Sequence, residues 1–249
     1  MAARWSSQVS RIATSILVAG GVGLATAGPV GADTGPEIQG KTYGEWSAAW
    51  WQWAEEFYTD SDGNMDFGTG RVDCSLGQSG PVWFLGGTSF GKAERRCTLK
   101  RNKYLFVPLV NAADFDDEPS CAQQPCTVEE QRDILNGIFS LEPPGIFGPP
   151  GTVACQLQAD VCSGRCPDRV KGTPAVFSTP IVRTQSPPFE YDGNPDNVAD
   201  GFWVMLDPLP PGRHRIHFAG GVCEIGTPIG QNIEDVFFWV DVTYRVRVR

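Results

Sequence analysis

Oxygen-bearing side chains recur at every second position in Asp60-Ser-Asp62-Gly-Asn64-Met-Asp66, the spacing a loop needs to wrap a hard cation such as calcium. Asp60, Asp62, Asn64 and Asp66 are therefore candidate calcium ligands. The match to an EF-hand loop is partial: Met65 stands where such a loop needs glycine, and Arg71 where it needs glutamate. A polar turn that ends a helix and binds nothing accounts for the same residues. A second acidic cluster, Asp114, Asp116, Asp117 and Glu118, follows an apolar run. Asp114, Asp116 and Glu118 are the candidate acid/base carboxylates, with solvated surface as the competing reading. A glycosidase pair would need carboxyl groups about 5–10 Å apart in an aromatic-lined cleft.

The string Gly87-Thr-Ser89-Phe-Gly91 fits a nucleophile elbow and follows an apolar run, with His214 later in the chain as a base. An elbow needs a helix directly after it, however, and Lys92 to Arg96 is too short and polar for one. His214 and His217 are the only histidines. In an extended strand, residues three apart point to opposite faces, so the two imidazoles do not converge on one metal. His214 joins Ile216 and Phe218 on the apolar side, whereas His217 shares the other face with Arg213 and Arg215, a cationic strip suited to an acidic ligand. Among the aromatic residues, Trp51 and Tyr58 are the candidate contacts for a glycan.

These residues need elements to hold them. Thr42 followed by Glu45 is a capping box, and Tyr43, Trp46, Ala49, Trp50, Trp53 and Phe57 recur on one stripe at 100° per residue. The pattern predicts an amphipathic aromatic helix over 43–58, with Trp46, Trp50 and Trp53 buried and Trp51 turned away from them. Val82 to Leu85, Tyr104 to Val110, Val176 to Val182 and Phe202 to Leu206 read as strands. Lys100 to Lys103 is expected to turn a hairpin between Thr98-Leu99 and Tyr104, and Pro108 to mark an edge or a bulge. From Val236 the chain alternates, with valines and Tyr244 on one face and Asp241, Thr243, Arg245, Arg247 and Arg249 on the other. A second helix is expected from Val128 to Asn136, capped by Thr127 with Glu130 and stopped by Gly137. Glu142 to Gly151 and Ser186 to Asn197 read as irregular loops.

The fold expected is mainly β: an antiparallel β-sandwich, immunoglobulin-like or jelly-roll-like, carrying the N-terminal aromatic helix and an irregular Cys/Pro-rich insert at about 114–170. Residues 1–32 read as a signal peptide: Arg4 and Arg11 precede a small, apolar stretch, and Val30 and Ala32 suit a peptidase cleaving after Ala32, with Ala27 as the alternative. Residues 33–249 then form a single domain. Removing Arg4 and Arg11 takes the formal charge from −9 to −11, which excludes nucleic acid as a partner. No later apolar run reaches the length of a transmembrane helix.

All eight cysteines follow this leader. In an exported chain they read as a disulfide framework with on the order of a hundred possible pairings. Cys74 with Cys97 is one expected pair. The pairing of Cys121, Cys126, Cys155, Cys162, Cys166 and Cys223 stays open at this level, although Cys223 is placed to tie the insert to the sandwich. A zinc knuckle from Cys162 and Cys166 would need reduced thiols and finds no histidine nearby.

The segments Gly40-Lys-Thr-Tyr-Gly-Glu-Trp-Ser-Ala-Ala-Trp-Trp-Gln-Trp53, Cys74 to Gly87 and Gly201 to Phe218 resemble a group of exported bacterial proteins of unassigned function. That resemblance implies a signal peptide and an extracytoplasmic location, and it carries over no catalytic residue. Taken together, these readings point to an exported, disulfide-stabilised binding or structural module, secreted or periplasmic, with a glycan or envelope partner. An extracellular carbohydrate-active hydrolase using a carboxylate pair is the alternative.

Overall fold

The computed structural model describes residues 37–58, 67, 72–88, 91–113, 118, 121–139, 152–163, 181–224 and 236–249, with backbone alone at 152–156, 224, 236 and 237. Residues 1–36, which include the expected signal peptide at 1–32, the loop at 60–66, Asp114, Asp116, the expected loop at 142–151, Cys166 and residues 176–180 of an expected strand lie outside the described residues.

Helix α1 spans Tyr43–Tyr58. At its head, the Thr42 amide donates to Glu45 Oε2 at 2.8 Å and the Glu45 amide donates to Thr42 Oγ1 at 3.2 Å. Helix α2 spans Val128–Phe139 under a matching exchange between Thr127 and Glu130. It runs on past Gly137, which therefore does not stop it; Ile138 and Phe139 are buried, and that packing outweighs the weak helix preference of one glycine.

The strands are β1 (Val82–Phe84), β2 (Gly91–Leu99), β3 (Tyr104–Ala112), β4 (Thr152–Ser163), β5 (Val182–Gln185), β6 (Phe189–Tyr191), β7 (Asn194–Asn197), β8 (Asp200–Leu206), β9 (Gly212–Glu224) and β10 (Val236–Val248). They form two four-stranded sheets, ordered β1-β3-β8-β5 and β2-β10-β9-β4, plus the β6-β7 hairpin. Leu105, Val107, Val204, Ile216, Phe218 and Val242 share one core between the two sheets, giving a sandwich-like stack.

Three expectations are corrected here. The sheets are mixed rather than antiparallel, because β1 pairs parallel to β3 and β2 pairs parallel to β10. Both unite segments with no hairpin between them, which local sequence pattern does not register. The residues at 100–103 do not turn a hairpin: β2 and β3 lie in different sheets, so this connection crosses the sandwich. The stretch from Ser186 to Asn197 is not irregular throughout. Asp192 and Gly193, both at positive φ, turn the β6-β7 hairpin. Pro108 falls at a bulge of β3, which is an interior strand.

The β1-β3-β8-β5 sheet is covered on both faces. Its far side carries α1, where Tyr43, Trp46, Trp50 and Trp53 pack with Phe106, Trp203 and Met205. Every residue of β8 is buried for this reason. Three indole N–H groups find loop carbonyls: Trp46 to Ile38, Trp50 to Leu85 and Trp53 to Leu76, at 2.9–3.0 Å. Each tryptophan thus buries its ring without stranding its donor. The β2-β10-β9-β4 sheet differs. Its inner face is core, and the alternation of β2 and β10 turns charged side chains outward.

Candidate functional site

That outward face collects cations on an acidic chain. Arg245 in β10 stands opposite Arg96 of β2 on one side and opposite Arg215 of β9 on the other. Two residues further along β10, Arg247 stands opposite Arg213. With strands about 4.8 Å apart and same-face residues about 6.8 Å apart along a strand, these five guanidiniums share a compact patch. Arg96, Arg213, Arg245 and Arg247 are exposed and Arg215 is half-buried. Glu94 approaches Arg245 at 3.9 Å, an open, solvated contact worth little. Like charges directly opposite one another cost a sheet stability.

Beside this patch lies a cleft of about 860 Å3 lined by Val72, Asp73, Ser75, Glu94, Arg96 and Arg245, among others. One wall is the segment around Cys74, which is disulfide-bonded to Cys97 of β2 with Cα atoms 5.7 Å apart. The Ser75 hydroxyl and backbone amide hold the exposed Asp73 carboxyl below its usual range.

A polar triad spans the next two rows of the sheet. His217 lies between two carboxylates, with Nδ1 at 3.2 Å from Asp160 on β4 and Nε2 at 2.8 Å from Asp241 on β10. It is buried, so the sequence reading of His217 as part of a solvent-facing ligand strip is corrected: both ring nitrogens are already occupied by neighbouring strands. Lys92 reaches Asp241 at 4.0 Å. His214 turns inward, with Nδ1 at 2.9 Å from Ser163 Oγ and Nε2 at 2.7 Å from the Pro210 carbonyl.

Other polar groups are tied up structurally. Arg183 forks onto buried Asp200 at 3.2 and 2.7 Å, while Gln185 and the Gly201 amide add donors to the same carboxyl. Burial pushes that carboxyl up, and the Arg183 fork pulls it back. Asn136 and Arg132 join this network and dock α2 on β5.

The remaining sequence candidates separate. Trp51 is half-buried, with its ring edge-to-face against Tyr191 of the β6-β7 hairpin at 5.6 Å. Tyr58 packs on Trp53 and Phe67 and donates to the Asp73 carbonyl at 3.2 Å. The two residues engage different neighbours. Glu118 is buried, and Cys126 Sγ lies 3.6 Å from its carbonyl. Of the elbow string, Gly91 opens β2, a strand where an elbow needs a helix. Among the described residues no group of histidine, cysteine and acidic side chains is arranged to hold a metal ion. Cys121 is bonded to Cys126, and Cys162 and Cys223 are also disulfide-bonded.

Arg213 and Arg215 stand out in the sequence as a cationic strip, whereas Arg96 and the row do not. Alternation marked Arg245 and Arg247 as wet, yet nothing local says that β2 lies beside β10.

No family model and no curated protein matches this chain. A solved structure of PbICP-C in complex with falcipain-2 contains a chain that aligns at 11% identity and a TM-score of 0.28, covering 68% of this chain and 100% of that one. A score that low carries no argument. The chain is a mainly β, disulfide-stabilised protein with a sandwich-like stack of mixed sheets, and no described helix is long and apolar enough to cross a membrane.

Proposed function

We propose that the protein is an exported binding module, working at the cell envelope or outside the cell, that meets its partner through the outer face of the β2-β10-β9 sheet. One observation carries this reading: Arg96, Arg245 and Arg215 are aligned in a single row, although the chain as a whole is acidic. A fold under selection for stability alone has no reason to stack like charges. The described histidines and the buried Asp200 have structural partners instead, which fits binding better than catalysis. The leader-like N-terminus, the disulfides and the resemblance to exported bacterial proteins support the location. An immunoglobulin-like arrangement of the sandwich belongs to the same reading. The hydrolase alternative has less support, because α1 spends its aromatic stripe on the core.

The test is fractionation of a bacterium expressing the full chain, followed by sedimentation of the purified protein with washed envelope material. The reading expects an oxidised, processed protein outside the cytoplasm that cosediments with the envelope and is released by salt. A reduced cytoplasmic protein, or one indifferent to envelope material, overturns it.

A further inference from the structure

We infer that the ligand of this face is an anionic polysaccharide, held by its carboxylate or sulfate groups across Arg96 and Arg245 and along Arg247 and Arg213. The inference rests on the binding-module reading and names its ligand class.

The geometry selects for repeated negative charge. Arg96, Arg213 and Arg247 have no carboxylate partner among the described residues, and Arg245 has only the 3.9 Å approach of Glu94. A guanidinium offers a planar fork that matches carboxylate or sulfate oxygens two at a time. Several such forks, spaced by strand and pleat repeats, match a polymer with charges at intervals better than one small anion. A multivalent polyanion would also relieve the repulsion between the opposed Arg96 and Arg245.

The rest of the face narrows the class. Thr98 and Thr243 stand in the neighbouring positions on the same side of β2 and β10, so the surface around the arginines is polar and offers hydroxyl partners. These rows present no aliphatic or aromatic anchor of the kind that dominates protein interfaces, nor an apolar wedge to enter a bilayer. Nucleic acid is disfavoured by the lack of aromatic rings in these rows for bases to stack on. The adjoining cleft, lined in part by the bonded Cys74 and Cys97, gives the chain of sugars a place to continue past the sheet edge.

The experiment is calorimetric titration of the oxidised protein with polygalacturonate, dextran sulfate, neutral dextran and single-stranded DNA at several salt concentrations. Polygalacturonate or dextran sulfate should bind, weakening as salt rises, and the stronger of the two tells whether carboxylate or sulfate is preferred. Neutral dextran should not bind. Arg245→Glu should weaken binding about ten- to a hundredfold, the loss of one or two charge-assisted contacts, and Arg247→Glu should act in the same direction. Lys41→Glu, an exposed reversal at the α1 end of the molecule, should stay within about twofold, because screening confines the effect of a distant exposed charge. Arg245→Glu should also leave the melting temperature unchanged or raise it, since it places an acid between two arginines; a merely structural arginine would lower it. Equal binding of neutral dextran or DNA, no binding to either polyanion, or wild-type affinity in Arg245→Glu overturns the inference. If the protein still cosediments with envelope material through Arg245 while ignoring both polyanions, the ligand class falls and the binding-module reading stands.

Discussion

Arg95 Nη1 donates to the Tyr244 hydroxyl at 2.9 Å inside the sandwich, and both groups also donate to the Gly86 carbonyl, at 2.6 and 2.9 Å respectively. Arg95 is 1% exposed, with its guanidinium over the rings of Phe67 and Tyr244. A buried charge persists only when its donors are met, so this triangle fixes the residues after β1 against the inner face of the β2-β10-β9-β4 sheet. Tyr244→Phe removes one acceptor from Arg95 and one donor to Gly86 while preserving ring packing. The expected cost is about 1–3 kcal/mol, read as a lower urea midpoint at unchanged slope. An unchanged midpoint would show that the hydroxyl is not needed to seat Arg95.

Tyr58 gives a titration test of the same neighbourhood. Burial pushes its phenol up to about 12 from 10.0, the Tyr244 and Asp73 charges push the same way, and Arg95 opposes them. A group whose acid form is favoured by folding contributes stability that is complete below its unfolded value and lost as pH rises through its folded one. The window is therefore pH 10 to 12. The difference in tyrosinate absorbance between wild type and Tyr58→Phe should show one phenol ionising near 12; ionisation at the ordinary value would place Tyr58 in solvent.

What was legible in the sequence was local. The Thr42–Glu45 exchange, the aromatic stripe of Trp46, Trp50 and Trp53, and the alternation of β10 all depend on neighbours within a turn or a strand. What escaped depends on distant pairing. Arg95 was invisible as a core residue because Gly91 to Leu99 is polar at nearly every second position, and only the contact with β10 says which face is inner. The burial of His217 is hidden for a related reason: its partners, Asp160 directly opposite and Asp241 on the diagonal, come from segments far away in sequence. The arginine row has the same origin. Its members are unremarkable singly, and parallel pairing of β2 with β10 makes them one surface.

The cleft beside that surface is lined in part by the Cys74–Cys97 disulfide. Cys74 and Cys97 are 23 residues apart, and closing a loop of that size contributes about 3 kcal/mol in the chain-entropy account. Replacing both cysteines with alanine should lower thermal stability by about that much and free the Val72–Ser75 wall. Faster amide exchange in this wall, with β10 unchanged, is the expected signature. Equal exchange throughout would mean that noncovalent contacts alone hold the wall.

Glu130 predicts an acid-sensitive joint. Its carboxylate accepts from the Ala122 amide at 2.8 Å and from the Thr127 amide and hydroxyl at 2.9 and 2.8 Å, joining the Cys121–Cys126 loop to the head of α2. The Ala122 bond is the largest cause holding this carboxyl below its ordinary 4.5. Folding lowers the value, so the contribution is present above 4.5 and is lost as pH falls below it. Glu130→Gln should therefore melt earlier than wild type at neutral pH, and the gap should close on acidification. A gap that persists in acid would assign the effect to shape rather than charge.

His217 provides the sharpest test of whether the outer face has separable structural and binding rows. The His217 imidazole faces Asp160 from Nδ1 and Asp241 from Nε2. Asp160, His217 and Asp241 thus tie β4, β9 and β10 together, with His217 only 3% exposed. His217→Ala removes the shared donor and leaves two acids of like sign near each other. The expected cost is about 2–4 kcal/mol, the loss of two hydrogen bonds at a buried ring, moderated because Asp241 retains some solvent. The variant Asp160→Asn should cost less, since Asn still offers an acceptor, and combining it with His217→Ala should cost less than the sum, because the second change then removes an acid that has already lost its partner. Additive losses would mean that the two residues act independently. Because the arginine row lies one pleat repeat away, Arg245→Glu should leave this coupling intact, separating the row that holds the sheet together from the row that presents its charge.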